Sequence, residues 1–134
     1  MKVKILGSHG LESTKTKFMS ILIDDALALD AGALASSLSL SQQGKLKTIL
    51  LSHSHADHAA GLASLSMRAY LTAATVEVYA LKETIDALKT HVFNGVIDPE
   101  FTRKPSPEKP AIRFHQIETY KPQLIEGYTV LAFP

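Results

Sequence analysis

Lys47-Thr48-Ile49-Leu50-Leu51-Ser52-His53-Ser54-His55-Ala56-Asp57-His58-Ala59-Ala60-Gly61-Leu62 is the stretch on which the reading of this 134-residue chain turns. Its first six residues centre on the short apolar run Ile49-Leu50-Leu51, the pattern of a strand buried on both faces. Three of the six histidines in the chain follow at once, between positions 53 and 58. His53 and His55 are two apart at the end of that strand, and in extended chain positions i and i+2 point to the same side. Two imidazoles there converge on one metal ion. Asp57 and His58 come as the chain turns into a helix predicted over Ala59 to Met67, and they reach toward a second ion beside the first. Neutral imidazole and carboxylate are donors that zinc, iron and manganese accept. Two ions about 3.5–4 Å apart would share a water and ionise it at neutral pH. The expected cofactor is therefore a pair of divalent ions, zinc foremost, with manganese or iron as alternatives. A structural zinc site fits less well, because such sites are closed and usually rich in Cys, and the chain has no Cys.

Outward from this stretch, strands and helices are mixed. Lys2 to Leu6 is predicted as a first strand, followed by a turn at Gly7 to Gly10 and a polar loop over Ser13 to Lys17. Phe18 to Ile23 and Ala26 to Asp30 are predicted to pair across Asp24-Asp25, since a two-residue turn between apolar runs favours antiparallel pairing. Leu34 to Gln43 has a helical spacing of leucines and stops at Gly44. Val76 to Ala80 is a further strand. Leu81 to Val92 repeats apolar residues with a helical period and stops at Asn94-Gly95. Three prolines among charged residues make Lys104 to Pro110 an exposed loop, and Ala111 to Ile117 and Tyr128 to Phe133 read as strands. The expected class is α/β or α+β, in a single domain spanning 1–134. His9, His91 and His115 lie outside the cluster and are read as ordinary structural histidines.

Composition excludes several functions. The apolar fraction of 46% is that of a folded protein. Net charge is +1 with no basic stripe, which argues against sequence-independent nucleic-acid binding. No apolar run approaches the ~18 residues of a membrane span, and the N-terminus has no signal-peptide pattern. A cytoplasmic location is expected.

The segment His53-Ser54-His55-Ala56-Asp57-His58, followed by Ala59-Ala60-Gly61-Leu62, resembles the HxHxDHxxGL signature of the metallo-β-lactamase superfamily. Thr16 to Phe18 through Leu29-Asp30-Ala31-Gly32 resembles the same superfamily's strand pair with its Asp-x-Gly turn. The resemblance implies an αββα sandwich, of which this chain would be the N-terminal part. It also implies that His53 and His55 bind one metal, that Asp57 and His58 bind the second, and that Asp30 supports the His loop from behind. Metal-bound histidines generally need such a partner to fix their tautomer. A finer resemblance runs from Ala80 to Pro99. Thr84-Ile85-Asp86-Ala87-Leu88 and His91-Val92-Phe93-Asn94 are similar to a segment of the class II cyclic-nucleotide phosphodiesterases. Asp98 stands where that family usually has Trp, and Ala56 where it usually has Leu.

The resemblance implies a metal-dependent hydrolase acting on a small phosphodiester, with cyclic nucleotides the first substrate class and Asp57 helping to orient or deprotonate the water. Other chemistries of the superfamily share the motif: a tRNA-processing nuclease, a thioesterase or a lactonase. A truncated domain with a binding or assembly role is the non-catalytic alternative. The superfamily's further ligands lie later in its sequences, so the chain is expected to be cut before them and to catalyse poorly alone. Half a sandwich exposes an apolar sheet face. Pairing with a second copy or with a missing C-terminal segment is therefore expected.

Overall fold

A computed structural model describes all residues, 1–134. Eight strands and five helices are mixed along it. The strands are β1 (Val3–Gly7), β2 (Ser20–Ile23), β3 (Leu27–Leu29), β4 (Thr48–Leu50), β5 (Val76–Ala80), β6 (Ile112–Gln116), β7 (Gln123–Ile125) and β8 (Tyr128–Val130). The helices are α1 (Leu34–Ser37), α2 (Leu40–Gln43), α3 (Ala56–Ala59), α4 (Gly61–Leu71) and α5 (Lys82–His91).

The first six strands form one sheet in sequence order, β1 to β6. β1, β2 and β3 pair antiparallel, and β3 through β6 run parallel. The switch follows from the connections. Asp24 and Asp25 both adopt positive φ, and Ala26 N–H closes the turn on the Ile23 carbonyl at 3.1 Å. So short a link can only reverse the chain, whereas the parallel pairs are joined through helices. β7 and β8 form a separate antiparallel hairpin.

One face of the sheet carries the helices. Ala28, Ile49 and Val78 are in register across β3, β4 and β5. All three are fully buried, in one cluster with Leu34, Leu62, Leu65, Leu88 and Phe93 from the helical side. On the opposite face the hairpin covers only part of the sheet. There Glu126 of the hairpin accepts a long hydrogen bond from the Thr48 hydroxyl at 3.4 Å, and the Tyr128 hydroxyl donates to Asp24. Ile5, which shares this face, is 70% exposed. No helix is long and apolar enough to cross a membrane.

Three sequence expectations need correction. Leu34 to Gln43 is two one-turn helices, because Ser39 leaves helical geometry and caps the second one. Its side chain accepts from Gln42 N–H while the Gln42 side chain accepts from Ser39 N–H, a reciprocal capping box that starts a new helix. The helix predicted over Ala59 to Met67 starts earlier and continues to Leu71, broken into α3 and α4 at Ala60. The strand predicted over Tyr128 to Phe133 ends at Val130 and pairs with β7, which the apolar pattern did not indicate.

Candidate metal centre

The centre sits where β3 and β4 end together. These strands are parallel neighbours with Leu29 opposite Leu50, so the residues just beyond them lie side by side. Ligand sites of open α/β sheets gather at such carboxyl ends. Asp30 follows β3 with φ at 59°, a left-handed conformation that Asp tolerates better than most residues. Its N–H donates to the Leu50 carbonyl at 2.9 Å, which ties the turn to β4.

From that position the Asp30 carboxylate, 7% exposed as a residue, collects three donors. Ser52 N–H reaches Oδ1 at 2.8 Å, the Ser52 hydroxyl lies 2.8 and 2.9 Å from the two oxygens, and His58 Nδ1 lies 2.7 Å from Oδ2. The predicted supporting residue is thus in contact with the loop it was assigned to. With Nδ1 directed at Asp30, His58 turns Nε2 toward Asp57, 3.4 Å from its Oδ2. Two donors at 2.0–2.1 Å on one tetrahedral ion are about 3.3 Å apart, so this pair fits a shared cation. The imidazole of His53 lies between the other two, its centroid 4.7 Å from that of His55 and 4.1 Å from that of His58. The chain brings all four predicted ligands to one corner. It does not place three His, Asp or Glu side chains around a single ion position.

The backbone fixes this corner against the preceding turn. Ala31 N–H donates to the His58 carbonyl at 2.7 Å, Met19 N–H to the Asp57 carbonyl at 3.0 Å, and Gly61 N–H to the Ala31 carbonyl at 3.0 Å. So close an approach leaves no room for side chains. A Cβ on Gly32 would fall 2.0 Å from the Asp57 carbonyl oxygen, and one on Gly61 would fall 2.2 Å from that of Ala31. These two glycines, with Ser52, are contributors that the sequence reading did not assign. For Ser52 the available signal was a hydroxyl residue directly before the first His.

The three remaining histidines have other surroundings. His115 Nε2 lies 2.6 Å from Glu77 and its ring stacks on Tyr79. His9 Nδ1 lies 3.2 Å from the Lys17 carbonyl. His91 ends α5 and is exposed. Beside the His loop, a cleft of about 230 Å³ lies between α4 and α5, lined by Ser54, Ala56, Leu62, Leu88, Val92 and Asp98 among others.

Six strands with helices on one face, a hairpin beginning a layer on the other, and a His-rich loop at the strand ends describe the metallo-β-lactamase fold. Solved structures agree. The chain matches a metallo-beta-lactamase fold protein, YhfI, from Bacillus subtilis with a TM-score of 0.69 at 18% identity, covering 96% of this chain and 50% of that one. Unliganded yeast PDE1 matches with a TM-score of 0.68 at 19% identity, covering 90% and 51%. Human tRNase Z, short form, matches with a TM-score of 0.57 at 18% identity, covering 87% and 45%. At these identities the likeness is one of fold, and the chain spans about half the length of the structures it matches. No curated protein matches the sequence. The family model for class-II cAMP phosphodiesterases matches residues 19–132, and the chain belongs to that family.

Proposed function

We propose that this chain carries part of the metal centre of a hydrolase that cleaves phosphodiesters, with cyclic nucleotides as the first substrate class. The observation that carries the reading is the His58 geometry. One ring nitrogen is held by a buried carboxylate at 2.7 Å, and the other faces the Asp57 carboxylate at 3.4 Å, as two ligands of one ion would. Membership of the class-II cAMP phosphodiesterase family supports the substrate class.

In this reading His53 and His55 hold one divalent ion, zinc foremost, and Asp57 and His58 hold a second. When bound, the ions supply a hydroxide at neutral pH and positive charge for the phosphate oxygens. Asp30 keeps the His58 Nε2 lone pair outward. Asp57, 30% exposed at its side chain, orients the attacking water. Completion of each coordination shell needs donors from beyond this chain's own set of four.

The test is a substrate panel on the zinc- or manganese-loaded full-length protein, comprising cAMP, cGMP, bis-p-nitrophenyl phosphate, a thioester and a lactone. Hydrolysis of the phosphodiesters is expected, abolished by chelation and strongly reduced by His58→Ala, which removes a proposed metal donor. Turnover of the thioester or lactone alone would transfer the protein to another branch of the superfamily. One observation favours keeping those arms. Ala56 and Asp98, the two departures from the family pattern, line the same cleft beside the His loop.

A further inference from the structure

The hydroxyl of Ser52 sits at the junction of the centre. Its Oγ lies 2.8 and 2.9 Å from the two Asp30 oxygens, 3.0 Å from His53 Nδ1 and 3.3 Å from His58 Nδ1. Counting hydrogens decides how these contacts are made. An ionised carboxylate only accepts, and a hydroxyl has one hydrogen and two lone pairs. Were that hydrogen turned toward His53, a serine lone pair would face carboxylate oxygens at 2.8–2.9 Å, an unfavourable contact between acceptors. The hydroxyl therefore donates to Asp30 and offers a lone pair to His53, whose Nδ1 must carry the proton. His58 Nδ1, at 2.7 Å from Asp30, must carry one as well.

We propose that Ser52 is a positioning residue that relays the Asp30 carboxylate to His53. One buried acid thereby sets the tautomer of two imidazoles, one from each of the two proposed metal sites. Asp30 reaches His58 directly and His53 only through the serine. Both rings then hold Nε2 unprotonated and outward. The geometry of the relay stands without any metal, while its consequence for metal uptake rests on the function proposed above.

The experiment is long-range 1H–15N NMR of the histidine rings in the metal-free full chain at about pH 8, where an ordinary His is neutral. Ser52→Ala, Ser52→Thr and the unsubstituted chain are compared. Expected for the unsubstituted chain is His53 with a protonated Nδ1 and a bare Nε2. Ser52→Ala should release His53 to a mixture of tautomers while His58 keeps its form, and Ser52→Thr, which retains the hydroxyl, should restore His53. Zinc affinity by chelator competition should fall roughly 10–100-fold in Ser52→Ala and return in Ser52→Thr. A His53 that is protonated at Nε2 in the unsubstituted chain would overturn the relay. So would one whose tautomer is unmoved in a folded Ser52→Ala chain. Should Ser52→Ala fail to fold, the unsubstituted chain and Ser52→Thr decide the tautomer between them. The expected tautomers in a chain that takes up no zinc would support the relay and overturn the metal-dependent function.

Discussion

Along β4 and β5 successive residues enter two different environments. Ile49 and Val78 point into the helical layer and are fully buried, while Leu50 and Tyr79, one position further on, are half-buried on the opposite face. There a pocket of about 390 Å³ opens between Met19, Ile21, Leu29 and Leu50 on one side and Val130 and Phe133 on the other, and its floor reaches Asp30 and Ser52. The helical face holds the strands in place. The opposite face leaves room beneath the candidate metal centre. The centre itself straddles the boundary, hung from the ends of β3 and β4, whose registers the helical face fixes.

The largest expected effect tests that division directly. Ile49→Ala removes a fully buried side chain from the closed layer and should cost about 2–5 kcal/mol. Leu50→Ala, beside the open pocket, should cost about 1–2 kcal/mol, since less of its surface leaves water on folding. Urea unfolding of both variants measures the difference. Equal losses would mean that the hairpin face is as tightly packed as the helical one.

A second comparison sets two carboxylates against each other. Asp30 is nearly enclosed and satisfies three donors. Glu77 serves Arg113 and His115 at 2.6 Å each, but on the open face, with its side chain 29% exposed. Asp30→Asn should cost about 1–3 kcal/mol, because an amide presents hydrogens where Ser52 and His58 need an acceptor. It should also weaken zinc binding roughly 10–100-fold. Glu77→Gln should cost less than about 1 kcal/mol, as solvent replaces much of a half-exposed ion pair, and should leave zinc binding unchanged. Urea midpoints and chelator competition read both. A larger loss at Glu77 would move the electrostatic weight of the domain away from the centre.

Much of this was readable in the chain. The His cluster stood out because its spacing is demanding: i and i+2 at the end of an apolar run, then Asp and His at a helix start. Asp30 was singled out by the resemblance of its Asp-x-Gly turn to that of the metallo-β-lactamase superfamily, and it lies in contact with Ser52 and His58. Ser52 offered only the weak signal of a hydroxyl directly before the first His, because its contact with Asp30 comes from the through-space pairing of Leu29 with Leu50. Gly32 and Gly61 were visible as residues, but the two carbonyls that exclude a Cβ come from Asp57 and Ala31, distant in sequence. β7 escaped because Gln123-Leu124-Ile125 is three residues long and follows Pro122. Its partner is found only through the Glu126-Gly127 turn, where both residues have positive φ. The break at Ser39 was written in the sequence as Ser39-x-x-Gln42, but the leucine spacing running through it suggested one continuous helix.

The smallest expected effect concerns what holds the hairpin to its face. The Tyr128 hydroxyl donates to Asp24 in the turn between β2 and β3. That hydrogen bond, helped by Lys2 N–H, lowers the Asp24 pKa, and the same carboxylate raises that of the Tyr128 phenol. The two shifts bound one interaction. Because the folded pKa of Asp24 is depressed, its stabilisation is present above the ordinary carboxylate value of about 4. It is lost as pH falls through the lowered value. Because the folded pKa of Tyr128 is raised, its share is present below the ordinary phenol value of about 10 and is lost as pH rises through the raised one. The latch therefore operates across neutral pH and opens at both extremes. Tyr128→Phe should remove the alkaline limb entirely and shrink the acid limb, leaving the part that Lys2 N–H supports. Asp24→Asn should return the Tyr128 titration, followed by NMR of its ring, to the ordinary phenol range. In both variants the strands of the six-stranded sheet should keep their hydrogen-exchange protection while β7 and β8 lose theirs. Loss of protection spreading into β3 and β4 would show that the open face depends on its hairpin as the closed face depends on its helices.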